Sequence, residues 1–408
     1  MKLKDIAEYV TDKVSSDAID LGCYVTTDSL LQNKAGRETA TNLPPQTCTL
    51  TLFRKGDILI SNIRPYLKKI WMADVKGGCN ADVLVFRAKE GHSSEFLYAL
   101  LLQDAFFDYA MKGAKGSKMP RGDKEQIMRY EIPTLSSSEE SIGKFIVDIN
   151  QKIAVNREIN RNLEAMARQL YDYWFVQFEF PDENGKPYKS SGGKMIWNQE
   201  LHREIPEEWT SKSLVDIAVF TNGLACQKFR PINEIDKLPV IKIREMRDGF
   251  TNDTEFVKSD IPDSVKVYNG DVLFSWSASL EILLWAFGNG GLNQHIFKVT
   301  SRNGYPRSFF YFEILRYIGV FKRIAESRKT TMGHITQDHL EQSRIAVPKD
   351  TSIVTQFDNK LKPIMDSIVK NQEEIVTLQQ ERDSLLPLLM NGQVSVMPTA
   401  VNCDLSHG

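Results

Sequence analysis

The feature that most constrains this chain is that it repeats itself, because a repeat fixes how many units must fold and how large each one is. Gly56-Asp57-Ile58-Leu59-Ile60-Ser61 recurs as Gly270-Asp271-Val272-Leu273-Phe274-Ser275, 214 positions further on. Trp71 pairs with Trp285 at the same offset, and Gly78 with Gly291, Asn80 with Asn293, Tyr98 with Tyr311 and Met119 with Met332 follow at 213. Ile132-Pro133 matches Val347-Pro348 at 215, and Asp5-Ile6-Ala7 matches Asp216-Ile217-Ala218 at 211. Offsets that drift so little, at about half of the 408 residues, describe one domain used twice rather than a solenoid of short repeats.

Each copy ends in a helical pattern. Ile142, Ile146, Ile149, Ile153, Asn156, Asn160, Leu163, Ala167, Leu170 and Trp174 are spaced alternately four and three apart, as are the a and d positions of a coiled coil. Phe357, Leu361, Ile364, Ile368, Asn371, Ile375, Leu378, Arg382, Leu385 and Leu389 repeat that spacing. Two such stripes predict helices that pack on one another, with a seam of Ile149, Ile153, Asn156, Leu163 and Leu170 against Leu361, Ile368, Asn371, Ile375 and Leu378. Asn156 and Asn371, at matched places, either fix register inside the seam or face solvent. Ser138, Glu140 and Ser141 can cap the first helix and Asn391-Gly392 can close the second, which Pro363 and Pro387 should kink or fray. Residues 179–206, with Pro181, Pro187 and Ser190-Ser191-Gly192-Gly193, read as turns and linker.

Ahead of the first long helix, short strands are expected over 47–53, 57–62, 69–74 and 82–87, then a helix over 94–111, mirrored at 306–326. Each unit is therefore an α+β domain with a long helix appended. A composition of 42% hydrophobic and 25% charged residues is that of an ordinary globular protein. No apolar run is long enough for a membrane helix, the start shows no secretory signal, and five scattered cysteines form no Cys-x-x-Cys pair, so a reducing cytoplasm is expected.

Catalytic motifs are missing. Ser191-Gly192-Gly193-Lys194-Met195 lacks the first glycine and the hydroxyl of a phosphate loop. Phe287-Gly288-Asn289-Gly290-Gly291 matches Val75-Lys76-Gly77-Gly78 in the other copy and reads as a turn between strands. Asn42-Leu43-Pro44-Pro45 is not the Asn-Pro-Pro-aromatic phrase of amino-methyltransferases, and the six histidines show no metal-ligand spacing. The positive signal is local charge. Residues 54–69 carry five cations against one acidic group, 112–129 six against two, and 316–329 five against one, although the whole chain has 51 Lys and Arg against 53 Asp and Glu, a net −2. Basic loops at matched places can neutralise phosphates and reach base edges.

With Gly56–Pro65 and its second copy, Leu170-Tyr171-Asp172-Tyr173-Trp174-Phe175, Arg203-Glu204-Ile205-Pro206-Glu207-Glu208-Trp209 and Leu385-Leu386-Pro387 to Asn391-Gly392, the chain resembles the specificity subunits (HsdS) of type I restriction-modification systems over nearly its whole length. The resemblance implies two tandem α/β target recognition domains, each reading half of a split DNA sequence, separated by a long antiparallel two-helix coiled coil with pseudo-twofold repetition. The expected boundaries are recognition domains at 1–138 and 207–350, spacer helices at 139–178 and 351–392, a linker at 179–206 and a tail at 393–408. It also implies double-stranded DNA as a partner with two modification and two restriction subunits, no membrane, and no cofactor on this chain. S-adenosylmethionine would belong to the adenine-N6-methylating modification subunits, and ATP and magnesium to the restriction subunits. The expected DNA-binding residues are Arg64, Lys68, Lys118 and Arg121, with Lys115 on phosphate, and Ser277, Ser279, Lys329, Thr330, Thr331 and His334 in the second copy. A helix over 142–178 would span about 55 Å, roughly 16 base pairs, which makes the helices a ruler for the spacing between half-sites. The rival readings are a stand-alone methyltransferase or nuclease, tested by titrating the purified chain with S-adenosylmethionine, and a coiled-coil scaffold, which would show no salt-dependent DNA affinity.

Overall fold

The computed structural model describes residues 1–133, 135, 137–327 and 334–396. The chain divides into two compact units, Met1–Ile153 with Leu378–Gly408, and Ala154–Thr377, so that both long helices are shared between them.

The first unit contains α1 (Leu3–Ile6), β1 (Ala7–Tyr9), β2 (Lys13–Ser15), β3 (Tyr24–Val25), β4 (Thr49–Phe53), β5 (Ile58–Ser61), β6 (Ile70–Met72), β7 (Gly77–Cys79), β8 (Val83–Ala88), α2 (Ser94–Leu102), α3 (Asp104–Lys112), α4 (Lys124–Ile127) and the start of α5 (Glu139–Tyr171). One sheet has the order β1-β8-β5-β6 and is antiparallel, and the other runs β2-β4-β7-β3 with β3 parallel to β7. Strand β5 explains why the repeated phrase is apolar without alternation. Ile58 and Ile60 enter the core beneath α2 while Leu59 enters a second core with Phe53 and Trp71, so both faces are covered. Each such burial contributes about 1.5–3 kcal/mol. Gly56 has φ +90, open to glycine at no steric cost. The Asp57 carboxylate accepts from Arg54 N–H at 2.8 Å and from Arg87 at 2.7 and 2.8 Å, closing the turn into β5.

The second unit continues with β9 (Met195–Asn198), β10 (Arg203–Pro206), β11 (Trp209–Ser213), α6 (Leu214–Ile217), β12 (Ala218–Asn222), β13 (Lys237–Ile241), α7 (Ile243–Asp248), β14 (Phe256–Lys258), β15 (Lys266–Val267), β16 (Val272–Ser275), β17 (Glu281–Leu284), β18 (Gly290–Leu292), β19 (Ile296–Ser301), α8 (Arg307–Ser327), α9 (Gln337–Gln342), β20 (Arg344–Pro348) and α10 (Ser352–Met390). Its sheet β12-β19-β16-β17 reproduces β1-β8-β5-β6. Gly270 again has φ +90, Val272 and Phe274 face one core and Leu273 the other. The turns β6–β7 and β17–β18 carry the two glycine-rich phrases, as the repeat requires.

Four expectations change. Trp285 takes the place of Ala73, not Trp71: Gly56 N–H donates to Ala73 and Gly270 N–H to Trp285, because the connection from β16 to β17 is two residues shorter by register than that from β5 to β6. The 94–111 helix is broken at Gln103, whose backbone is extended so that Asp104 can start α3. The stretch 179–206 holds the β9–β10 hairpin, and Phe180 and Ile205 are buried in the core with Trp209. Helix α5 ends at Tyr171 and passes into a π turn, Asp172–Val176, before Phe178 turns left-handed, while α10 runs through Pro363 and Pro387 without interruption.

The helix ends follow their sequences. Ser141 N–H donates to Ser138 Oγ at 3.1 Å, and Gly392, φ +69, closes α10 with Gln393 N–H bonded to the Leu388 carbonyl. Within the second unit α5 and α10 are antiparallel: Asn156 Nδ2 donates to Glu374 at 2.8 Å, Asn160 to the Ile368 carbonyl and Asn371 to Asn160 Oδ1, both at 3.0 Å. Ile153, Asn156, Leu361, Ile368 and Ile375 are buried, and Ile149, Leu163, Leu170, Asn371 and Leu378 half-buried. In the first unit Arg382, 2% exposed, donates to Asn150 Oδ1 at 2.8 Å and to Asp383 at 3.0 Å.

Candidate nucleic-acid interface

In the first unit two loops that are 50 residues apart in sequence are stitched into one surface. Ile63 and Lys115 each bridge to Arg121, Arg64 N–H donates to the Pro120 carbonyl at 2.8 Å, and Gly122 N–H to that of Asn62 at 3.2 Å. Asn62 N–H in turn donates to the Asp82 carbonyl at 2.8 Å, which adds the β7–β8 connection. Arg64 (φ +50), Lys115 and Arg121 are thus brought together, and Lys118 is exposed on the same loop. The guanidinium of Arg121, 58% exposed, reaches Asp82 at 3.1 Å through one of its terminal nitrogens. Lys115 is more exposed still and lies 3.3 Å from Asp123. The Gln126 and Glu125 amides and Lys115 together hold the Asp123 carboxyl below the usual range. Asn62 Oδ1 and Arg64 Nε are buried here without a hydrogen-bond partner among the described residues, each at a cost of about 1–3 kcal/mol.

Lys68 is elsewhere. Its ammonium pairs with Asp104 at 2.9 Å, and the same oxygen holds buried Lys34 at 2.8 Å, which also reaches Asp383 at 3.1 Å. Burial alone would raise the Asp104 carboxyl, but the two ammoniums outweigh it and hold it below its ordinary value. Lys69 is likewise turned inward, donating to the Thr27 carbonyl at 2.5 Å, and burial lowers its pKa. Of the cations that made 54–69 look like a phosphate-binding loop, two therefore serve the fold. The side-chain chain Lys68–Asp104–Lys34–Asp383–Arg382–Asn150 ties this loop to both long helices inside the first unit.

The second unit builds the same junction. Ser277 bridges to His334, Ile335 N–H donates to the Trp276 carbonyl at 2.9 Å, and Trp276 N–H to that of His295 at 3.3 Å. Ala278 has φ +56 where Arg64 has +50. Ser277 is buried, and the Ser279 carbonyl accepts from the Ser275 hydroxyl. His334 is exposed. Lys329, Thr330 and Thr331 lie outside the described residues. In the basic stretch around them Arg316 is paired with buried Glu313 at 3.7 Å, whereas Lys322 and Arg323 are exposed.

The profile of the type I restriction modification DNA specificity domain matches this chain twice, over residues 1–165 and 206–376. The chain belongs to that family. Its relatives include the type I restriction enzyme MjaIX specificity subunit of Methanocaldococcus jannaschii, 26% identical over 88% of this chain and 83% of that one. The HindI specificity subunit of Haemophilus influenzae is 22% identical over 96% and 98%. In fold, the chain is similar to the crystal structure of the type I restriction-modification S subunit from M. genitalium, with a TM-score of 0.59, 12% identity and 95% of each chain covered. The duplicated mixed helix and strand fold is thus that of a specificity subunit. Among the described residues no helix is long and apolar enough to cross a membrane.

Proposed function

We propose that each unit of this chain reads one half of a bipartite duplex DNA target on behalf of a type I restriction-modification assembly. The observation that supports this best is the stitched loop junction, built once in each copy of a specificity domain and carrying exposed Arg121 in one and exposed His334 in the other. A phosphate contact from Lys115 would set the position on the duplex, and Arg64, Lys118 and Arg121 would reach base edges, an Arg bidentate to guanine being the commonest specific contact. In the second unit Ser279, Lys329, Thr330, Thr331 and His334 would do the same, with Ser277, which is buried, holding the bridge to His334 beneath them. The recognition domains would occupy 1–138 and 207–350, and the spacer segments 139–178, helical to Tyr171 before the π turn, and 351–392. Helix α5, 33 residues long, measures about 50 Å.

Specificity subunits are in general non-catalytic, and the chemistry is assigned here to partners: two modification subunits with S-adenosylmethionine and two restriction subunits with ATP and magnesium. Val155, Ile159 and Met166 expose 53, 41 and 55% of their surface on one face of α5. Apolar side chains four and seven apart on a helix present one stripe, and this stripe is suited to docking a modification subunit. The test is to coexpress the chain with its modification subunits and map methyladenine across a genome by sequencing. Two defined blocks separated by an undefined spacer are expected; a continuous motif, or methylation without sequence preference, would refute the reading.

A further inference from the structure

The two junctions have one backbone and two chemistries. Bridge 63–121 corresponds to 277–334, the Asn62-to-Asp82 bond to Trp276-to-His295, and the Gly122-to-Asn62 bond to Ile335-to-Trp276. The surrounding frame keeps its residue types: Ser61 and Ser275, Gly78 and Gly291, and Asn80 and Asn293, whose N–H groups donate to Val25 and Ile241, each at 3.1 Å. Inside that frame three neighbouring positions are exchanged together. Asn62, Asp82 and Arg121 stand in the first unit where Trp276, His295 and His334 stand in the second. The first set is an ion pair beside an amide, with Arg121 on Asp82 at 3.1 Å. The second is a ring cluster: the Trp276 indole lies 5.6 Å from His295 and 6.1 Å from His334, and its Nε1 donates to Asn222 at 3.1 Å. Arg121, His295 and His334 are exposed, and the Asp82 side chain is 36% exposed.

We propose that these three positions, 62, 82 and 121 with their counterparts 276, 295 and 334, are the specificity-determining set of each domain. This rests on the reading of the chain as a two-domain DNA specificity subunit. A G·C pair in the major groove offers two acceptors on guanine and one amino donor on cytosine. Arg121 supplies the donors and Asp82, which also orients the guanidinium, the acceptor. In the second set the Trp276 indole offers apolar contact, the complement of a thymine methyl, and the ring nitrogens of His295 and His334 supply the donor or acceptor for the polar groups of an A·T edge. A frame that holds its backbone constant while exchanging three side chains lets each half-site change without refolding the domain.

The test uses the full chain assembled with its modification subunits and a library of randomised duplexes, reading the methylated sequences. Arg121→Ala is expected to relax one G·C position of one half-site by roughly 5- to 150-fold, with the other half-site unchanged. Arg121→Lys, which keeps charge without the bidentate fork, should restore affinity but not that preference. His334→Ala should relax an A·T position of the other half-site only. Equal weakening on all duplexes with unaltered preference, or relaxation at the wrong kind of base pair, overturns the proposal. If the triple exchange Asn62→Trp, Asp82→His and Arg121→His does not fold, the single variants still decide. A native complex with no bipartite preference would instead overturn the parent reading.

Discussion

The two units share a frame and differ in what fills it. Where backbones meet, glycines and asparagines recur with the same hydrogen bonds; where the junction opens to solvent, an Arg–Asp pair stands in one unit and a Trp–His cluster in the other. A second difference lies in the smaller sheets. Strand β7, with its parallel neighbour β3 and antiparallel neighbour β4, corresponds to β18 with β13 and β15. The outermost strand is added beside β4 in one unit and beside β13 in the other, on opposite edges. The duplicated core thus constrains which positions can vary: the sheet edges and the solvent-facing side chains of the junction diverge, while the core faces of the paired strands stay apolar.

Substitutions placed in one unit at a time separate the shared frame from what fills it. The largest effect should come from charging the exposed stripe of the second unit: Ile159→Asp with Met166→Asp is expected to abolish association with modification subunits in size-exclusion chromatography while leaving the melting temperature nearly unchanged. Inserting seven residues after Ile153 and after Thr377 lengthens both helices by about 10 Å and should widen the spacer by about three base pairs; an unchanged spacer refutes the ruler. Arg382→Ala removes a buried guanidinium and its bonds to Asn150 and Asp383, and should cost about 3 kcal/mol in denaturant unfolding. Lys68→Ala, which breaks a half-buried ion pair with Asp104, should cost at most about 1 kcal/mol and leave the half-site preference intact, unlike Arg121→Ala.

The smallest effect concerns pH. Burial raises the Glu313 carboxyl in the second unit, where it accepts from Tyr171. A carboxyl that binds its proton more tightly when folded adds stability as pH falls through its folded value and withdraws it as pH rises. Glu313→Gln should therefore flatten the wild-type loss of stability on going from pH 5 to 8, and parallel curves for the two proteins would contradict this.

The repeat, the strands and the helix ends were legible because glycine turns, apolar runs and capping residues act over a few positions. Local patterns could not reveal that Lys68 and Lys69 are spent on the fold, since their partners Asp104 and Thr27 are far away in sequence. Trp71 was matched to Trp285 by residue type, yet a two-residue shortening of the loop put Trp285 where Ala73 stands. Asn62, Asp82, Trp276 and His295 belong to no run of like charge, so charge patterning does not single them out. The available signal was the pair Asn80 and Asn293, shared by both copies two residues ahead of the exchanged Asp82 and His295. The hairpin in 179–206 was obscured by its glycines and prolines, although Phe180, Ile205 and Trp209 anchor it.

The independence of the two halves is tested by exchanging residues 1–138 for the corresponding domain of a relative, assembling the chimera with its modification subunits, and mapping methyladenine. One half-site should change completely while the other half-site and the spacer stay as they were. A change in both half-sites, or in neither, would contradict one domain used twice to read two independent halves.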